Sequence, residues 1–357
     1  MKKITVFILT FFLIIGLVAC SSDTSSNQDD TGSDGEQKLA KELKVFNWGD
    51  YLPDSVIKGF EEKYGVDVIY DPYSSNAEML TKLKSGAVKY DIVVPTDYIA
   101  ARMISQDLLA ELNMDNIPNF KNIAEPFHER DFDPENKYTV PYLYGSIGLA
   151  FNKAKTSNVT GWKDLWNPNN AGHVLLSDVG REAVAIALQK EGLSVNDASD
   201  KSLAKAKAAL EELDPNVFLY DSEPADDLAG DQVWIAAAYS GAVAKAMKTN
   251  KDLDFILPEE GGVLWMDNLA IPKISENKYT AEVFINYLLE PEVSKLLTDE
   301  IPYSNPNSKA VELMTDEEKN NPASYPPNES LKNAEWFEDL GPDLPKVDRV
   351  WREVIGQ

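Results

Sequence analysis

The sequence predicts an α/β fold with largely parallel sheets, and three observations carry that expectation. Short β-rich runs alternate with helical ones over most of the chain, the pattern that βαβ winding leaves in a sequence. No internal repeat interrupts the alternation. Beyond its first forty or so residues the chain is long enough for a large core, and its length alone suggests two domains.

Lys2 and Lys3 precede an apolar run from Ile4 to Val18 that ends at Ala19. Such a segment is too short for a membrane span and reads as a secretory signal over residues 1–19. It closes on Leu17-Val18-Ala19-Cys20, which resembles a bacterial lipoprotein box; the resemblance implies cleavage before Cys20 and diacylation of its thiol. Two acyl chains suffice for stable anchoring. Cys20 is the only cysteine, so the chain has no internal disulfide and no second thiol for a metal site or a nucleophile. Residues 20–42 are expected to form a disordered tether, because Ser21 to Gly35 holds no hydrophobic side chain. About twenty flexible residues span roughly 25 Å. The body is therefore expected outside the cytoplasm, held at the outer face of the cell membrane.

Within the body, Leu43–Asn47 reads as a strand, followed by a helix that Asp54 caps and Gly65 ends. A strand over 66–70, a helix over 77–84 and a strand over 92–95 come next. Farther on, strands are expected at 174–176, 217–219, 234–238 and 254–257, with helices at 181–191 and 203–213. A long apolar strand at 263–271 precedes helices near 280–289 and 292–298.

Open α/β sheets bind ligands at the carboxyl ends of their strands. Aromatics and acids recur at those positions: Trp48 and Tyr51, then Thr96, Asp97 and Tyr98, then Asp178 with Glu182, then Tyr239. Trp265 and Asp267 are two apart in one strand and share a face. An acid inside Val-Leu-Trp-Met-Asp-Asn-Leu-Ala-Ile is costly without a partner. Aromatic faces attract ammonium groups and carboxylates bind them by charge-assisted hydrogen bonds, so the set suits an elongated organic cation such as a polyamine. Simpler roles compete at single positions: Trp265 as core, Asp97 as a helix cap, Glu182 as a complement to a helix dipole.

The chain carries 59 acidic and 34 basic side chains, a net charge of −25 that becomes −27 once the signal with Lys2 and Lys3 is removed. That surface repels nucleic acid and draws cations. His128 and His173 lack metal-ligand spacing or a nucleophile motif, and neither a metal nor another cofactor is expected. Asp131 to Glu135 lacks the glycine and terminal glutamate of a calcium loop and reads as a turn. No phosphate-binding glycine loop occurs, so the chain is not expected to hydrolyse a nucleotide itself. Alternatives are a binder of another small solute, a carboxylate-based extracellular hydrolase, or a structural adhesin.

From Lys44 to about Gly341 the sequence closely resembles the substrate-binding proteins of bacterial spermidine/putrescine ABC importers. The most specific motif is Gly-Gly-Val-Leu-Trp-Met-Asp-Asn-Leu-Ala-Ile-Pro over 261–272, supported by Phe-Asn-Trp-Gly-Asp-Tyr-Leu-Pro over 46–53, Tyr-Asp-Ile-Val-Val-Pro over 90–95 and Thr-Gly-Trp-Lys-Asp-Leu-Trp over 160–166. The resemblance implies a two-lobed periplasmic-binding-protein-like fold of type II with the ligand between lobes. One lobe would be 43–145 plus 268–311 and the other 146–267 plus 312–357. It implies polyamine contacts at Trp48, Tyr51, Tyr98, Glu182, Trp265 and Asp267, with Thr96 in place of a serine and Ser222 matching a polar contact. Val179 stands where a carboxylate is expected, with Asp178 beside it as a substitute. Tyr239 replaces a tryptophan and Phe337 a glutamine, which leaves putrescine against spermidine open. Implied partners are the polyamine, ABC permease subunits with their ATPase, and the membrane through Cys20; a monomer is expected.

Overall fold

Parallel strand trios at either end of a sheet, with two long strands between them, organise the fold. A computed structural model describes residues 37–49, 51–222 and 224–356. The signal segment, Cys20, the tether to residue 36 and Asp50 lie outside the described residues. In the first trio β1 (Glu42–Trp48) pairs in parallel with both β2 (Asp67–Tyr73) and β3 (Ile92–Val93). Helices α1 (Asp54–Tyr64) and α2 (Asn76–Ser85) make its crossovers, and α3 (Asp97–Ser105) follows β3. A 14-residue strand, β4 (Thr139–Asn152), comes next. In the second trio β5 (Val174–Leu176) lies in parallel between β6 (Val217–Tyr220) and β7 (Ile235–Tyr239). Its helices are α4 (Gly180–Lys190), α5 (Asp200–Leu213), the short α6 (Ala225–Ala229) and α7 (Ser240–Met247). Then come β8 (Leu253–Ile256), β9 (Val263–Ala270), α8 (Lys278–Leu288), α9 (Pro291–Glu300), α10 (Ser308–Glu312), α11 (Asp316–Lys319), β10 (Glu335–Trp336) and α12 (Leu344–Val354).

The strand order is β2-β1-β3-β9-β4-β7-β5-β6. Parallel pairing, expected throughout, holds within the trios; β4 and β9 run antiparallel to each other and to the trio strands they meet. These long strands contribute to both main cores. Val140, Leu143 and Leu269 pack with Phe60, Phe284 and Ile285, whereas Ile147, Leu149 and Val263 pack with Ile186, Leu210 and Trp351. Helix α4 is buried from Arg181 to Gln189 because α5 and α12 both pack on it.

Several local expectations shift by a residue or two for visible reasons. Pro53 is the N-cap of α1 and Asp54 its first helical residue, so Asp54 complements the helix's positive end rather than capping it. Gly65 ends that helix at φ 66°, a left-handed conformation glycine adopts without strain. Leu39 packs on the first core and the Ala40 amide donates to Thr280 Oγ1 at 2.8 Å, so residues 39–42 belong to the packed body rather than to a tether. No helix among the described residues is long and apolar enough to cross a membrane.

Candidate functional site

Two buried carboxylates, one on β9 and one on α4, anchor the site. Asp267 is 5% exposed and is bridged to Thr96, which follows β3. Thr96 Oγ1 donates to Asp267 Oδ1 at 2.8 Å. Burial pushes the Asp267 carboxyl up to about 7, opposed by the Thr96 and Tyr51 hydroxyls. Tyr51 Oη makes no hydrogen bond of normal geometry, although it lies close enough to Asp267 for the two to act on each other. Burial, and then the Asp267 charge, raise the Tyr51 phenol well above its ordinary value.

Asp97 is the first residue of α3, with Thr96 at the N-cap, so it does not cap the helix. Its carboxylate accepts the Tyr98 amide at 2.8 Å. Burial raises its pKa well above the usual range, and the Arg130 charge acts in the other direction. Asp97 is thus a third buried acid beside Asp267, and the Tyr98 amide and Arg130 offset its burial only in part.

Glu182, in the first turn of α4, is the second anchor. Ser177 Oγ and Tyr239 Oη donate to its two oxygens. Burial pushes it up to about 7 against those hydrogen bonds. An aromatic line connects the two acids. Tyr51 lies edge-on to Tyr303 at 5.9 Å, Tyr303 to Trp265 at 4.9 Å, and Trp265 to Tyr239 at 5.7 Å. Trp265 is 5% exposed and its Nε1 is buried without a partner, so it is not simply a satisfied core residue.

The other sequence-derived residues lie around this line. Trp48 is half-buried at the end of β1, donating from Nε1 to Val94 O at 3.0 Å and leaning on Tyr73. Tyr98 is also half-buried and meets Phe337 edge-on at 6.1 Å. Phe337 carries the Arg181 guanidinium on its ring at 4.6 Å, so the departure at 337 replaces an amide by a ring between a phenol and a buried cation. Asp178 is exposed; its charge raises Glu182, while its carbonyl accepts Trp351 Nε1 at 3.1 Å. Val179 is 40% exposed. Ser222 is half-buried in the bend after β6, beside the end of β5.

Two residues escaped the sequence reading. Tyr303 joins the aromatic line from the loop after α9, and Asn76 binds both Thr96 and Tyr98 from the start of α2. Neither carries charge or sits in a recognisable motif. His128 and His173 are engaged elsewhere, with Ile123 O and Gln232 O. Asp133 spends its oxygens on the amides of Lys137, Tyr138 and Thr139, which is turn chemistry.

Buried acids and aromatics gathered at strand ends, between two cores joined by long strands, make this the two-lobed type II binding-protein fold. The chain belongs to the bacterial extracellular solute-binding protein family, whose model matches residues 55–327. Among curated relatives, the spermidine/putrescine-binding periplasmic protein of Escherichia coli (strain K12) is 36% identical over 305 residues, covering 84% of this chain and 87% of that one. Spermidine/putrescine-binding periplasmic protein 1 of Haemophilus influenzae is 32% identical over 99% of both chains. A solved structure of a putative spermidine/putrescine ABC transporter from Listeria monocytogenes superposes with a TM-score of 0.83 at 34% identity, covering 88% of this chain and 99% of that one.

Proposed function

We propose that the protein is an extracytoplasmic subunit that captures a polyamine, spermidine or putrescine, and delivers it to ABC permease subunits powered by a separate ATPase. Its lobes, 43–145 plus 268–311 and 146–267 plus 312–357, close on the ligand, and a lipid on Cys20 keeps the monomer at the membrane. It performs no chemistry on its cargo. The observation that carries this reading is the aromatic line with a buried carboxylate at each end. Methylenes between fixed ammonium groups match aromatic faces between acids. Two buried acids far above their ordinary pKa are poorly served by the protein alone, and a dication serves both.

Calorimetry against putrescine, cadaverine, spermidine, spermine, amino acids and sugars tests the reading. A polyamine should bind and raise the melting temperature; at one hundred times the dissociation constant the gain is about 2.7 kcal/mol. No response to any polyamine at low salt, or a response confined to sugars or amino acids, overturns it.

A further inference from the structure

Asn76 is the first residue of α2, immediately beyond the carboxyl end of β2, where α/β sheets place ligand contacts. Its Nδ2 donates to Thr96 Oγ1 at 3.2 Å and to Tyr98 Oη at 3.3 Å. The network fixes which way the amide faces. A threonine hydroxyl has one proton, and Thr96 gives it to Asp267 Oδ1. Thr96 can therefore only accept from Asn76, so the amide turns its NH2 group to Thr96 and its carbonyl away. That carbonyl oxygen, Oδ1, is buried and has no hydrogen-bond partner in the protein. Leaving such an acceptor unmet costs about 1–3 kcal/mol, which an apolar side chain at this position would avoid. Tyr51 Oη is a second buried oxygen beside Asp267, close enough to act on that carboxylate though without a hydrogen bond of normal geometry, and its lone pairs face no donor from the protein.

We propose that Asn76 is a further ligand-binding residue, its Oδ1 accepting an N–H from the ammonium group whose charge Asp267 balances. The assignment rests on the polyamine reading and adds a direction to it. A primary ammonium carries three N–H donors, and Asp267, Tyr51 Oη and Asn76 Oδ1 supply three acceptors. Only one of these is charged, so the pole gains hydrogen-bonding capacity without burying another carboxylate beside Asp267 and Asp97. A terminal primary amine fits this set better than a methylated one, which has fewer donors to offer.

The test is a double-mutant cycle read by calorimetry with putrescine on the full chain: wild type, Asn76→Ala, Thr96→Val and the pair. One hydrogen bond to a charged group corresponds to about a tenfold loss of affinity. A direct contact predicts that loss for Asn76→Ala in the wild-type background and again in the Thr96→Val background. A loss under twofold, or one that disappears once Thr96 is valine, overturns the proposal and leaves Asn76 as a residue that only positions Thr96. Should Asn76→Ala fail to fold, Asn76→Ser, well suited to a helix start, is held to the same two criteria. A wild type that binds no polyamine removes the functional reading and this assignment together; normal wild-type binding with an indifferent Asn76→Ala removes the assignment alone.

Discussion

At Asp267 folding and binding pull in opposite directions, because burial holds a carboxyl near 7 that is nonetheless ionised at pH 8. The sign follows from proton linkage. Below about pH 4 the group is protonated in both folded and unfolded chains and adds nothing. Between about 4 and 7 the unfolded chain ionises first, so stability falls as pH rises, by on the order of a few kcal/mol once pH 8 is reached. Asp267→Asn should therefore raise the melting temperature of the ligand-free protein at pH 8 and leave it nearly unchanged at pH 4. The same substitution should weaken putrescine binding at least about a hundredfold, since it removes the charge the ligand meets. A mutant that melts lower at pH 8 and binds normally would place Asp267 in the framework, not in the site. Glu182 is pushed up to about 7 as well, so affinity should tighten between pH 6 and 8 by about tenfold for each acid. Proton release on binding would appear as heats that depend on the buffer's ionisation enthalpy, and a flat affinity over that range would contradict it. Asp267 and Trp265 were legible in the sequence because an acid in an apolar strand demands a partner. Tyr303 and Asn76 were not: a loop tyrosine and a neutral amide become informative only when folding sets them beside Trp265 and Thr96.

Among the elements, β4 shows why a strand can be invisible in sequence and central in space. No strand is expected over 139–152 from the sequence, where Pro141, Gly145 and Gly148 are residue types that weaken a strand interior. Those glycines are where side chains from neighbouring strands cross the backbone of β4. A Cβ at Gly145 would lie 2.6 Å from Trp265 Cζ2 and 2.9 Å from Ser240 Oγ, and one at Gly148 would lie 2.5 Å from Phe255 Cζ. Gly145 thus decides where the Trp265 ring sits, and through it the aromatic line. Gly145→Ala should destabilise the protein by about 1–3 kcal/mol, as overpacking of a filled core does. It should also reduce polyamine affinity, because an indole pushed off β4 loses its edge contacts with Tyr239 and Tyr303. Chemical denaturation and calorimetry measure the two effects; unchanged values in both would mean that the indole shifts freely. By contrast β5 has the bounds its apolar run implies, because it is buried on every residue and carries no glycine.

For the molecule as a whole, the segment from β10 to Asp339 spans the two cores and bears on the proposed closure of the lobes. Trp336 stacks under the Arg130 guanidinium at 4.2 Å, Phe337 meets Tyr98, and Asp339 takes both Nε and Nη2 of Arg102 on α3. Arg102 and Asp339 are 20% and 25% exposed at their side chains, so water screens the pair only in part. Arg130, Tyr98 and Arg102 belong to the half built on the first trio, whereas β10 pairs with the far end of β9 and Phe337 packs in the second core. On the proposed division into lobes these contacts cross from one lobe to the other, so opening would break them and they would favour the closed form whether or not ligand is present. A bidentate, partly screened pair contributes about 1 kcal/mol. Because a ligand that needs the closed form loses affinity in proportion to the closed population, Arg102→Ala should raise the polyamine dissociation constant by up to about fivefold. Solution scattering should show a larger radius for the ligand-free mutant than for the ligand-free wild type, and the same compact radius for both at saturation. The defect lies in the opening equilibrium and not in the cleft, so it should be similar for putrescine and spermidine. An unchanged constant together with unchanged ligand-free scattering would show that the pair is only a surface ornament. A loss specific to one polyamine would instead put Arg102 into ligand selection.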